Sequence, residues 1–454
     1  MSQAYPRPPA PPIPRQILGV WATLLRMREN LISAWPREAY VGGLLRRRFL
    51  GRWLVVANSP ASVRHVMVDN AENYRKSDST RKALNAIIGD GMFISQGELW
   101  RRQRRLAAPA LQPSRIAPFA QVMLEAGNEL LERWSKLPDG AEVDVGADMA
   151  GLAIDVICRS MFSHDLGDRA RIVWDSFSVY QDVLGRFGAA DLLDLRRHLP
   201  NLPNRKVSRA TAALDAVLND VIAKRIAEQT PRNDLLSMLL AARDAEPGKH
   251  LTDRQIRDEV AVIILAGHET TANALTWSWF LLSEFPDKLA ALHEELKRVL
   301  GGRPPDFSDL DALNYTRAVF LEAMRLYPPI HTFSRHAIQD DAIGDAAVPA
   351  GSIVIVSPWL MHRHRGYWKN PEDFMPERFL PENDQGRDKH LYIPFGAGPR
   401  ICLGAHFAMA EGVLLLAMLA QRFVLHLRPG HPVMPQALLT LRPRDGMPMR
   451  LERR

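Results

Sequence analysis

Residues Pro394–Ala408 read PFGAGPRICLGAHFA, and this stretch decides how the rest of the chain is read. It carries Cys402, one of only two cysteines among 454 residues. Glycines, a proline and an arginine stand before the thiol, and an apolar helical pattern begins directly after it. Thiolate, not thiol, binds metals, and it needs positive surroundings to stay ionised. The free amides and dipole of a following helix favour a negative sulfur, and Arg400 adds a cation. Gly396, Gly398 and Gly404 let the backbone approach something flat and large. A nucleophilic cysteine with His406 as base is a second reading, but nothing else resembles an oxyanion site. A zinc site lacks further ligands. A plain buried cysteine is a third reading, weakened by the glycine pattern.

Working outward, helical periodicity dominates the chain. It predicts helices over Ser62–Asn70, Glu98–Leu106, Ile116–Lys136, Asp148–Phe162, Ala210–Glu228, Asp253–Phe285, Asp287–Leu300, Asn314–Leu326 and Gly404–Phe423. Strands are expected at Trp53–Ala57, Ser352–Ser357 and Phe423–Leu427, with a hairpin-like end, QALLTLRPRDGMPMRLER. The fold class is therefore mainly α with a small β region. Residues 1–15 read as a proline-rich arm, extended in polyproline fashion, and 16–454 as a single domain.

The longest predicted helix opens on a capping box, Thr252 with Gln255, and ends at Phe285-Pro286. It is apolar nearly all round, so it should run through the core. At its middle stands AGHETT, Ala266–Thr271. A glycine there costs roughly 1 kcal/mol against alanine. A kink with satisfied polar groups is one reading; a groove with a proton-relay pair, Glu269 and Thr270, is the other.

Composition sets outer limits. The chain is 46% hydrophobic and 24% charged, as for an ordinary globular protein. Net charge is +7 and pI about 9.5, with both signs interspersed along most of the chain, which points to a local basic face. WRRQRR, Trp100–Arg105, has no interleaved aromatics beyond Trp100, so nucleic-acid binding is excluded as the main reading. Two cysteines make no disulfide framework, which predicts a reducing cytoplasm. The apolar run Ile17–Leu25 is interrupted by Arg26 and Arg28. It falls short of the ~20 residues of a membrane span, and its flanks do not suit a signal peptide.

FGAGPRICLG resembles the haem-binding signature Phe-x-x-Gly-x-Arg-x-Cys-x-Gly of the cytochrome P-450 superfamily at Phe395, Gly398, Arg400, Cys402 and Gly404. The central helix is similar to the family's oxygen-binding motif at Ala266, Gly267, Glu269, Thr270 and Thr271. Glu322 and Arg325 match Glu-x-x-Arg, Trp100 and Arg104 match Trp-x-x-x-Arg, and PERF (Pro376–Phe379) follows in the right order. Together these ordered matches are specific.

The resemblance implies a haem b held between the long central helix and the cysteine loop, with Cys402 as the axial metal ligand. A thiolate ligand pushes electron density onto iron. Phe395, Ala266 and Gly404 would lie against the haem, while Trp100, Arg104, Arg335 and Arg400 would hold its propionates. Glu269 and Thr270 would manage protons. Glu322, Arg325 and Arg378 would form a structural charge network. Met92, Phe93, Val262, Ala266, Ile330, Phe333, Leu439 and Thr440 would wall an apolar substrate pocket. GDGMF, AGHETT and ALLTLRP resemble the fatty-acid-hydroxylase-like branch. The implied activity is monooxygenation of a hydrophobic small molecule (fatty acid, terpenoid or aromatic) using O2. Electrons from NAD(P)H would arrive through a separate ferredoxin and ferredoxin reductase, docking at Arg101, Arg102 and Arg105. A peroxide-driven haem enzyme and a non-catalytic haem-binding sensor are the alternatives. A monomer without a membrane span is expected, and Arg46, Arg47 and Arg48 are possible carboxylate anchors.

Overall fold

The computed structural model describes residues 7–184, 204–228, 232–243 and 251–454; the first six residues of the expected arm lie outside them. The helix predicted over Asp253–Phe285 runs Asp253–Glu284. Its 32 residues span ~48 Å at ~1.5 Å each. The Thr252–Gln255 capping box is present in both directions, at 3.2 and 3.1 Å. Apolar residues cover nearly its whole circumference, so it is buried from Ile256 to Leu282 apart from a few positions.

Two helices flank it. Val145–Phe162 starts on Asp144, whose carboxylate accepts the Gly146 and Ala147 amides. It approaches so closely that a Cβ on Gly267 would stand 2.8 Å from Ile157. That clash is a reason for glycine at the centre of the long helix, independent of any groove. Ala405–Ala420, the helix after Cys402, is buried along most of its length and packs against Ile116–Ser135.

The predicted Asn314–Leu326 helix is found at those bounds. Ser62–Asn70 is instead a short helix at Pro60–Arg64, capped by Ser59, followed by a wide turn over His65–Asp69. Sequence patterning missed the helices Val20–Glu29, Asp78–Ile88, Ala170–Leu184 and Leu235–Arg243. It also missed Leu44–Phe49, because LLRRRF lacks the expected alternation. This strand forms one edge of a five-stranded sheet, followed by Arg52–Ala57, Ile353–Val356, Phe333–Ala337 and Tyr74–Arg75. The C-terminal hairpin is corrected as well. Pro435–Ala437 pairs with Leu441–Pro443, but Pro448–Arg453 leaves to pair with Phe423–Leu427 and Glu142–Asp144. Among the described residues no helix is long and apolar enough to cross a membrane.

Residues 7–14 lie against the body: Pro8, Pro11 and Pro14 are buried, and the Tyr327 hydroxyl donates to the Pro9 carbonyl at 3.0 Å. Tyr327 stacks on Trp277 of the central helix with centroids 3.9 Å apart.

Glu322 and Arg325, one turn apart, are fully buried. The guanidinium grips the carboxylate in a fork at 2.7 and 2.8 Å and donates to the carbonyls of His362, Pro371 and Asp373. Arg378 reaches the same carboxylate at 3.3 Å. Removing one partner leaves an uncompensated buried charge, so Arg325→Ala should cost about 3–5 kcal/mol, measured by denaturant unfolding of the purified variant. A loss below about 1 kcal/mol would mean the site is hydrated and the network is not structural.

Candidate functional site

Between the central helix and the cysteine loop lies a cavity of about 450 Å³. Its floor carries Cys402 with Phe395, Leu403 and Gly404; its roof carries Val262, Ala266, Gly267 and Thr270. Cys402 is solvent-accessible, but its surface faces this cavity. Its amide donates to the Phe395 carbonyl at 2.9 Å, closing the loop. Burial pushes the Cys402 thiol up, against the opposing pull of the Gly404 amide and Arg104. An amide and a nearby cation do favour the thiolate, but the cation is Arg104, and desolvation outweighs both. A bound metal ion would deprotonate it outright.

The loop glycines also differ from expectation. Gly396 and Gly398 have φ of +74° and +69°, and a Cβ on Gly398 would stand 1.8 Å from the Met67 carbonyl oxygen. Gly398 is thus required by its packing on the His65–Asp69 turn. A Cβ on Gly404 would meet only the Cys402 sulfur, at 3.9 Å.

Cations gather at the cavity's edge: Arg47, Lys76, Arg104, Arg335 and Arg400 line it, and among the described residues no aspartate or glutamate does. Arg400 donates to the Ser95 carbonyl at 2.9 Å and lies 4.3 Å over the Trp100 ring. Arg104 donates to the Ile401 carbonyl at 2.9 Å, and Arg335 to that of Ser334 at 2.9 Å. Burial, together with Arg400, draws Arg335 down to about 10. Burial and Arg104 do the same to Arg400. Both stay charged at neutral pH. Lys76 is lowered furthest, by burial and then by Arg335 and Arg400. Its ammonium bonds the Phe93 carbonyl and sits 4.0 Å from the centre of the Phe93 ring.

Sequence reasoning missed Lys76, because YRKSDST carries no motif. The pairing of Tyr74–Arg75 with His336–Ala337 brings it beside Arg335. Buried like charges without counter-ions are costly. A ligand carrying two carboxylates at this edge and a metal over the thiol would satisfy them, and haem has both features.

All eight expected pocket residues line the same cavity. Gly89 and Gly91 of GDGMF have no room for a Cβ, which would stand 2.0 Å from Asp258 and 2.4 Å from Val262. Asp258 accepts the Asp90 amide at 2.9 Å and Glu259 the Met92 amide at 2.8 Å, so two consecutive carboxylates of the central helix clamp the turn that carries Met92 and Phe93. Glu269 and Thr270 part company. The Thr270 hydroxyl faces the cavity and donates to the Ala266 carbonyl at 2.8 Å. Glu269 does not line it. It is buried on the far side, where one oxygen accepts from Gln181 at 2.6 Å, Thr440 at 2.8 Å and Asn273 at 3.3 Å. Thr440 thus reaches both cavity and carboxylate. Behind the roof, Thr271 bonds Glu411 of the cysteine helix, whose carboxyl burial pushes up to about 8.

A thiol floor, a hydroxyl roof and a rim of cations define a haem-thiolate enzyme. Residues 8–447 match the family described as Cytochrome P450. The chain is 36% identical over 402 residues to cyclooctatin synthase of Streptomyces melanosporofaciens, covering 88% of this chain and 86% of that protein. It is 31% identical over 422 residues to cyclooctat-9-en-7-ol 5-monooxygenase of the same organism, covering 91% and 88%. The crystal structure of the cytochrome P450DA haem domain superposes with a TM-score of 0.81 at 26% identity, covering 99% of this chain and 98% of that one. The chain belongs to the cytochrome P450 family and is a haem-dependent monooxygenase.

Burial, reinforced by Asp258 and opposed by the Met92 amide, pushes the Glu259 carboxyl from its ordinary 4.5 up to about 8. Between those values the folded protein holds a proton that the unfolded chain has released, so this group lowers stability as pH rises through the window. Glu259→Gln keeps an acceptor for the Met92 amide and removes the titration. Thermal unfolding should find the variant's gain over the parent growing from pH 5 to 8 and level above that. A gain independent of pH would show that Glu259 is ionised throughout.

Proposed function

We propose that this enzyme inserts one oxygen atom from O2 into an apolar, terpenoid-class substrate, taking electrons from a ferredoxin reduced through NAD(P)H. One observation carries the reading: among the described residues the cavity joins a thiol, a ring of cations without an acid and an apolar wall beneath the Thr270 hydroxyl. Haem supplies the activation of dioxygen when bound. In this reading Cys402 would ligate its iron, and Phe395, Gly404 and Ala266 would lie against it. Lys76, Arg104, Arg335 and Arg400, with Trp100, would hold its carboxylates. Arginine suits this role because its planar fork binds carboxylates bidentately.

Thr270 holds a proton at Oγ1, parked on the Ala266 carbonyl. Rotation of that hydroxyl away from the Ala266 carbonyl would present its proton to the cavity. Glu269, gripped by Gln181, Asn273 and Thr440, would connect to the cavity through the Thr440 hydroxyl. Met92, Val262, Ile330, Phe333 and Leu439 exclude water and orient the substrate. The two relatives named for cyclooctatin and cyclooctat-9-en-7-ol favour a terpenoid over a fatty acid. On the opposite surface, Arg101 is already engaged by Glu72 and Glu98 at 2.8 and 2.6 Å, which leaves Arg105, exposed, as the stronger docking cation. A cytoplasmic monomer completes the reading.

The reduced protein under carbon monoxide should give the thiolate-type Soret band, and a panel of terpenoids should produce the low-to-high-spin shift. Well-folded protein lacking the band would overturn the assignment; a shift only with fatty acids would overturn the substrate class. Thr270→Ala should lower product formed per NAD(P)H by roughly 10²-fold, the scale of one general acid, while electron consumption persists as hydrogen peroxide. Unchanged coupling would remove Thr270 from proton delivery. Reduction by ferredoxin should slow as salt rises, and salt-independent rates would move the docking site elsewhere.

A further inference from the structure

The net charge of the chain sits at one place. Residues 1–52 contain nine arginines, two glutamates and no lysine or aspartate, a surplus of seven. The chain as a whole is +7, from 58 basic and 51 acidic residues, so the remainder holds 49 of each sign. The first acidic residue is Glu29.

The described part of this segment, residues 7–52, contributes Thr23, Met27, Leu31, Leu45 and Arg47 to the lining of the cavity. On and just before the helix Val20–Glu29, Ile17, Trp21 and Leu25 recur at four-residue spacing and are 53%, 79% and 63% exposed. They form one apolar stripe. Thr23 and Met27, on the other side, are buried and line the cavity. Arg15 and Arg28 are exposed beside the stripe. The neighbouring hairpin is tied to the helix start, since Arg47 donates to the Leu18 carbonyl at 3.5 Å. It presents Arg46 and Arg48 over the Trp53 ring, at 3.7 and 5.2 Å, and an exposed Leu50 at its tip.

We infer that this helix docks the enzyme on the surface of an anionic lipid bilayer, with the stripe in the headgroup layer and the cavity rim turned towards the lipid. An amphipathic helix with tryptophan and leucine on one face and arginines around it lies in the plane of such an interface. Tryptophan prefers that layer, and the charge surplus is attracted to acidic headgroups. A second copy of the chain would bring the same positive surface against itself, which like charge opposes. Three well-exposed apolar side chains do not need a partner's pocket to be covered by lipid. The docking stands apart from the substrate reading above, although an apolar substrate dissolved in lipid would then meet the cavity directly.

The test is co-sedimentation of the purified holoenzyme with phosphatidylglycerol–phosphatidylcholine vesicles and with phosphatidylcholine vesicles alone. Partition onto the anionic vesicles should be at least roughly tenfold greater at low salt and should fall as salt screens the arginines. The double variant Trp21→Ser, Leu25→Ser should lose at least about tenfold in partition, while its Soret spectrum and thermal midpoint match the parent. Arg15→Gln with Arg28→Gln should weaken binding to anionic vesicles only. No binding to anionic vesicles at low salt, or equal binding by parent and serine variant, overturns the proposal. So does a parent that elutes as a dimer while the serine variant elutes as a monomer, which would assign the stripe to a second copy.

Discussion

A helix buried along most of 32 residues has to satisfy its polar side chains from whatever packs against it, and those obligations organise this molecule. Asp258 and Glu259 take the amides of the Gly89–Phe93 turn and thereby place one wall of the cavity. Thr270 satisfies itself on the Ala266 carbonyl and so stays in the roof. Glu269 is claimed by three donors from three elements. His268, fully buried, bonds the Ile264 carbonyl at 2.8 Å, and burial holds it below its ordinary value. Asp258, Glu259 and Glu269 thus fix neighbouring elements, Thr270 and His268 bond back to their own helix, and the cavity is the space left between them.

The second organising constraint is electrostatic. Buried charge in the fold is of two kinds. Glu322, Arg325 and Arg378 compensate one another, so the protein alone closes that account. The cations at the cavity rim have no carboxylate among the described lining residues. Burial first, and then their mutual repulsion, lowers their proton affinities. The same contrast separates the interior from the amino-terminal surface, where the charge surplus is exposed and accompanied by apolar side chains.

Much of this was legible in the sequence because motifs encode local geometry. Phe-Gly-Ala-Gly-Pro-Arg before Cys402 specifies a loop with two positive-φ glycines, and a capping box specifies where a long helix begins. The roles of individual residues were less legible. Gly267 and Gly398 read as openings for a ligand, but the neighbours that exclude a Cβ are Ile157 and the Met67 carbonyl, 110 and 331 positions away in sequence. Lys76 carries no motif, and Glu269 gives no sign in AGHETT of facing away from the cavity. Leu44–Phe49 was hidden by its arginines, one of which turns into the cavity.

By itself the sequence determined most of the elements and their order, the thiol on the cavity floor and the hydroxyl across from it. These depend on periodicities and capping that act within a few residues. Tertiary structure alone decided which cations meet at one rim, which carboxylate is withdrawn from the cavity and which apolar stripe is left uncovered. Those outcomes depend on contacts between segments far apart in the chain. Their energetics come from desolvation, and desolvation is settled only when the surrounding elements have closed around a group.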